Sequence, residues 1–167
     1  MKKLITLVII VLFVFACQPN KVIKDRMIGF HPNEQAQDLG WHLGTQEAID
    51  VVIALDKAWA TGDYATMRKM FVDTLTIRTP EGKVFKNFDD FQEFEESQGS
   101  PTWKFQYAYS VDINPEIGGE HVQAGFLIKT TDEDGNEHKK RFHESYYVVQ
   151  GKIVWLNQYS QKVMDDE

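Results

Sequence analysis

The chain contains one cysteine, Cys17, so no disulfide can form within it and packing alone must hold its fold together. It is short of positive charge, with 18 Lys and Arg against 25 Asp and Glu. Neutralising a phosphate backbone takes a basic stripe. The densest basic run here, Lys139-Lys140-Arg141, follows closely on Asp132, Glu133, Asp134 and Glu137, so no nucleic-acid partner is expected. Long apolar runs are missing too. The longest, Leu4 to Ala16, is too short for the roughly 20 residues of a membrane-crossing helix. No glycine-rich phosphate loop, internal repeat or low-complexity tract is present, and the histidines show no zinc-like spacing. Neither a cofactor nor a metal is expected on these grounds.

What the N-terminus does have is Met1-Lys2-Lys3 ahead of that apolar run, the composition of a signal peptide. Val14-Phe15-Ala16-Cys17 resembles the lipobox of bacterial lipoproteins. The resemblance implies removal of residues 1–16 and lipidation of Cys17, anchoring the chain to a lipid bilayer of the bacterial cell envelope, on the outer membrane or the periplasmic face. Loss of Lys2 and Lys3 leaves 16 bases against 25 acids, a charge of −9. About 150 residues remain, room for one domain. The expected organisation is a lipidated tether and docking segment over 17–44, a domain over 45–161 and an acidic tail over 162–167. Ile28, Phe30, Leu39, Trp41 and Leu43 supply the docking segment's apolar surface.

Periodicity organises the domain. Thr45 can cap a helix in which Ile49, Val52, Ile53, Leu55 and Trp59 recur at helical spacing, and Gly62 stops it. Asp63 caps a second helix, Tyr64 to Phe71. Asp73 to Thr79 alternates as a strand, Pro80-Glu81-Gly82 turns, Lys83 to Lys86 is a short strand, and Asn87 to Ser97 is a helix striped with Phe88, Phe91 and Phe94. Trp103, Phe105, Tyr107, Tyr109, Val111 and Ile113 form an unbroken strand alternation, followed by a strand from His121 to Thr130.

The last segment, Phe142 to Tyr159, reads as two strands joined by a two-residue turn at Gln150-Gly151. With regular pairing, Phe142, Glu144, Tyr146, Val148, Ile153, Trp155, Asn157 and Tyr159 share one face. Glu144 then stands opposite Asn157.

The order of these elements, with Ala58-Trp59-Ala60-Thr61-Gly62-Asp63-Tyr64, Phe71-Val72-Asp73, Pro80-Glu81-Gly82 and the final Gln150-Gly151-Lys152-Ile153 hairpin, resembles the nuclear transport factor 2-like superfamily. Its SnoaL-like branch is similar to polyketide cyclases and ketosteroid isomerases. The resemblance covers roughly residues 45 to 160. It implies an α+β fold in which three helices pack in the concave face of a strongly curved, mainly antiparallel sheet, a cone with a pocket inside. It also implies dimers through the sheet's outer face. Catalytic members use a buried aspartate, with a histidine or tyrosine, to move a proton next to a carbonyl. Asp63 and Asp73 fall instead at a helix cap and a helix-to-strand junction, and no Tyr and Asp pair maps onto the isomerase pair.

Two functions follow as expectations. The first is a membrane-anchored envelope lipoprotein with a non-catalytic small-molecule-binding or protein-interaction domain, as a homodimer or with an envelope partner. The second is an isomerase, cyclase or dehydratase acting on a small apolar substrate. Glu144 and His143 are the candidate acid–base residues, with His121 a further histidine able to face a pocket. Trp59, Trp103, Tyr107, Tyr146, Trp155, Asn157 and Tyr159 are the candidate ligand-binding residues, aromatic walls with polar tips that suit a small apolar ligand.

Overall fold

Helix starts are set by side chains that accept a backbone N–H. Thr45 Oγ1 accepts from Ala48 at 3.3 Å, Asp63 Oδ1 from Thr66 at 3.0 Å and Asn87 Oδ1 from Asp90 at 2.9 Å. They open α1 (Gln46–Ala60), α2 (Tyr64–Met70) and α3 (Phe88–Ser97). Gly62, at φ +66°, ends the first of them in the left-handed region that only glycine enters at little cost. The computed structural model describes residues 27–31, 39–98, 102–116, 118–131 and 134–163. The expected signal peptide, Cys17, the tether up to residue 26 and the tail beyond residue 163 lie outside the described residues.

Among the described residues, seven strands form one sheet, β1 (His42–Leu43), β2 (Phe71–Arg78), β3 (Val84–Phe85), β4 (Thr102–Asp112), β5 (Gly119–Thr131), β6 (Glu137–Val149) and β7 (Lys152–Lys162). Their order is β1-β4-β5-β6-β7-β2-β3, antiparallel except where β2 runs parallel to β7. Gln150 (φ +49°) and Gly151 (φ +74°) make the expected two-residue turn between β6 and β7, whose two positive φ values match the twist of the strands.

The helices cover one face of this sheet. Val52 and Leu55 from α1, Met67 from α2 and Phe91 from α3 are fully buried against Leu75, Ile77, Val122, Ile153 and Leu156 from the strands. Each such side chain contributes roughly 1.5–3 kcal/mol on leaving water. The docking segment behaves differently from its expectation. Ile28 and Trp41 pair through their backbones, and Trp41 packs edge-on against His121 at 5.1 Å. The side chains of Ile28, Phe30 and Leu43 nevertheless stay 62%, 81% and 86% exposed, so the segment docks through Trp41 and the backbone pairing of β1 with β4 rather than through those apolar side chains.

Two β-bulges overturn the regular alternation read from the sequence. In β4, Phe105 pairs with Phe126 and Tyr107 with Gly125, leaving Gln106 as the extra residue. In β7, Ile153 pairs with Val148 and Trp155 with Tyr147, leaving Val154 over. A bulge reverses the face of every residue beyond it. Tyr107, Trp155, Asn157 and Tyr159 therefore lie on the outer face, and Leu156 and Gln158 point inward, buried, in their place.

A buried carboxyl cluster as candidate functional site

Between the helices and the inner face of the sheet lies a cavity of about 230 Å³. Trp59 and Asp56 come from α1, Phe94 and Glu95 from α3, Thr79 and Glu81 from the β2–β3 turn, and Trp103, Phe126, Phe142, Glu144, Tyr146 and Gln158 from the long strands. Alternation along β6 puts Phe142, Glu144 and Tyr146 on the helix side, and the Val154 bulge brings Gln158 opposite Glu144.

Glu144 is 6% exposed and is held by two donors. The Tyr146 hydroxyl donates to its Oε2 and Gln158 Nε2 to its Oε1, the latter at 2.9 Å. Burial pushes the Glu144 carboxyl above the usual carboxylate range, against the pull of those two bonds and with help from the charge of Asp56. Burial likewise pushes the Tyr146 phenol well up, and the neighbouring Glu144 adds to it. Glu95 faces the same cavity. Burial raises it to about 7, and the charges of Glu144 and Glu81 act in the same direction, while a hydrogen bond from the Trp59 indole opposes them. Trp103 Nε1 donates to Asp56 Oδ1 at 2.7 Å, so both indole N–H groups at the cavity end on carboxylates.

A carboxyl that exchanges its proton near neutrality can take a proton from a bound molecule or give one to it. Glu95 has that character, burial displaces Glu144 in the same direction, and aromatic rings surround both.

Of the residues singled out in the sequence, Glu144, Trp59, Trp103 and Tyr146 meet at the cavity. His143 sits on the outer face beside Glu144 in sequence but opposite it in space. Its Nε2 lies 2.8 Å from Gln123 Oε1 and its Nδ1 3.4 Å from the Tyr107 hydroxyl. Tyr159 is 57% exposed and packs against the His143 ring. Asn157 opposes Ser145, not Glu144, and accepts from Arg78 Nη1 at 3.0 Å. Trp155 stacks on Tyr147 over the outer face, where His121 also lies; burial lowers the His121 pKa, against the charge of Asp112.

Asp56, Thr79, Glu95 and Gln158 were not expected at the site. A signal existed for two of them. Asp56 falls four residues after Val52 and Glu95 four after Phe91, each on the apolar stripe of its helix. Thr79 and Gln158 carry no such mark, because a turn and a bulge place them.

No family model matches the sequence, and no curated protein matches it. Solved structures do match its fold. The calcium/calmodulin-dependent kinase (CaMKII) hub of S. rosetta is 17% identical, with a TM-score of 0.59 over 70% of this chain and 95% of that one. An NTF-2 like protein of unknown function from Burkholderia xenovorans is 14% identical, with a TM-score of 0.56 over 72% of this chain and 87% of its own. The epoxide hydrolase/cyclase-like enzyme SalBIII, from pyran ring formation in polyether salinomycin, is 15% identical, with a TM-score of 0.56 over 70% and 92%. The chain thus has the nuclear transport factor 2-like fold, an α+β architecture with three helices and seven strands among the described residues, which solved hub and cyclase-like structures match.

Proposed function

We propose that this chain is a lipid-anchored small-molecule-binding protein of the bacterial cell envelope, and that its ligand enters the cavity over Glu144. The observation that carries the reading is a buried carboxyl, Glu144, with two bonded donors at an aromatic-lined cavity. A closed core would gain by filling such a space with apolar side chains, and a buried carboxyl without a task is costly. Lipidation of Cys17 supplies the anchor, and residues 18–26 the tether. Outer-face tyrosines, Tyr107 and Tyr159 at 50% and 57% exposure, offer a surface for a second copy.

The test uses N-phenyl-1-naphthylamine, a neutral apolar dye that fluoresces when it leaves water. The full chain should enhance it saturably, and Phe126→Arg and Trp103→Arg, which fill the cavity with a cation, should abolish the enhancement. Equal enhancement by wild type and both variants would place the dye elsewhere and defeat the reading.

One observation favours a second reading, an isomerase- or cyclase-type acid–base enzyme. Burial, with the charge of Glu144, pushes the Glu95 carboxyl up to about 7, so Glu95 can take up or release a proton near neutrality at the cavity. In that reading Glu144→Gln abolishes turnover without abolishing ligand binding; loss of both together would indicate binding alone.

A further inference from the structure

The hydrogen-bonding groups at the cavity are unbalanced. Its inner donors are already committed to carboxyls: the Trp103 indole to Asp56, the Trp59 indole to Glu95, and the Tyr146 hydroxyl and Gln158 amide to Glu144. Acceptors remain. A carboxylate offers about four lone-pair sites, and Glu144 uses two of them. Thr79 Oγ1, which can accept as well as donate, is the second, independent sign that a partner is missing. Thr79 is 5% exposed and lines the cavity, and its hydroxyl is the buried side-chain polar atom without a hydrogen-bond partner among the described residues. A buried orphan of that kind costs roughly 1–3 kcal/mol unless something satisfies it.

Charge points the same way. Asp56, Glu81, Glu95 and Glu144 line the cavity, with Lys140 the one base among its lining residues. An anionic ligand would meet four acids. A bare metal ion is also a poor fit, since among the described residues no three His, Cys, Asp or Glu side chains converge closely enough to hold one. Trp59 and Trp103 complete the picture, because an indole whose N–H is bonded to a carboxylate is electron-rich, and indole faces attract organic cations better than the other aromatic rings do.

We infer that the cavity binds a small organic ammonium ion, a primary or secondary amine on an apolar body, whose N–H groups are taken by the carboxyls and Thr79 Oγ1 and whose charge sits against the tryptophans. The inference rests on the cavity being a ligand site, as proposed above, and adds the chemical class of the ligand. Ionised Glu95 is the stronger partner for such a cation. Since Glu95 titrates at about 7 while an aliphatic ammonium holds its proton to about pH 10, affinity rises with pH between 6 and 8. The titratable groups that interact with Glu95 are Glu144 from β6, Glu81 from the β2–β3 turn and Tyr64 from α2, while Asp56, Tyr146 and Lys140 line the same cavity.

The full chain, purified in detergent, would be titrated calorimetrically at pH 8 with 2-phenylethylamine, 2-phenylethanol and 3-phenylpropanoate, which share a body and differ in the charge of the head. The amine should bind at least tenfold more tightly than either comparator. Glu95→Gln and Thr79→Val, each checked for a cooperative thermal transition no lower than that of the wild type, should each weaken the amine at least threefold while leaving the alcohol unaffected. If the alcohol binds as tightly as the amine, or both variants keep wild-type amine affinity, the ammonium inference falls and the cavity remains a ligand site. If none of the three binds, both fall.

Discussion

Gln158 donates to Glu144 Oε1 at 2.9 Å, and the two meet because Val154 adds one residue to β7 between Ile153 and Trp155. Were Val154 paired in a regular ladder rather than bulged out, Asn157 would oppose Glu144, and Trp155 and Tyr159 would turn inward. The bulge therefore sets the chemistry of the cavity floor. Deleting Val154 would only straighten β7 and leave these pairs in place, whereas inserting one alanine between Val154 and Trp155 should reverse the faces of β7 from Trp155 onward, expelling Leu156 and Gln158 from the core. A loss above about 4 kcal/mol is expected, or failure to accumulate as folded protein. Val154→Ala, which keeps the count, should cost only about 1 kcal/mol. Urea midpoints for the insertion and for Val154→Ala decide it, and an insertion variant as stable as wild type would show that the bulge does not set the register.

The carboxyl of Glu95 makes stability depend on pH. Its folded pKa of about 7 lies above the 4.5 of an ordinary glutamate, so the folded chain holds the proton more tightly than the unfolded chain. Stability contributed this way is full below about pH 4.5 and declines as pH rises to about 7. Glu95→Gln should flatten that slope and be more stable than wild type at pH 8, by up to about 3 kcal/mol. Denaturation at pH 5 and pH 8 measures it. An unchanged slope in the variant would mean Glu95 titrates normally.

Removing the Tyr146 hydroxyl tests the donor at Glu144. The bond favours the charged form of Glu144, so Tyr146→Phe should raise the Glu144 pKa further while leaving the ring's packing intact. A cost of about 1–3 kcal/mol is expected, larger at pH 8 than at pH 5. The same cost at both values would mean that the hydroxyl does not act on the Glu144 charge.

Gln150 sits at φ +49°, where a side chain crowds its own backbone. Asparagine tolerates that region better, so Gln150→Asn should stabilise by about 0.5–1 kcal/mol. Calorimetry should show a rise of roughly 2–4 °C. A lower midpoint would mean that Gln150 contributes something beyond its backbone angle.

Membrane attachment depends on Cys17. Cys17→Ser should move the chain from the membrane to the soluble fraction of fractionated cells, and retention in the membrane would leave lipidation without support.

Much of the fold was legible because it is local. Thr45, Asp63 and Asn87 cap the helices, Gly62 ends one, and Gln150-Gly151 reverses the chain, each through the angles or bonds of a few neighbouring residues. β1 escaped notice, since His42 and Leu43 form a strand only by pairing with Asp112 and Val111. The site was read in part. Glu144, Tyr146, Trp59 and Trp103 stood out as a carboxyl and aromatics on periodic stripes, whereas Tyr107, Trp155, Asn157 and Tyr159 were placed on the wrong face by the same regularity.

Side-chain periodicity is intrinsic to a long strand or a helix, so the sequence alone determined the helices, the long strands and the final turn, but not β1. A bulge is not intrinsic. Gln106 and Val154 are ordinary strand residues, and only the pairing of β4 with β5 and of β7 with β6 leaves them without a partner. The tertiary structure alone decided which side of the sheet each later residue faces. It also decided that carboxyls from two helices, a turn and a strand share one cavity, because their mutual burial depends on elements far apart in the chain.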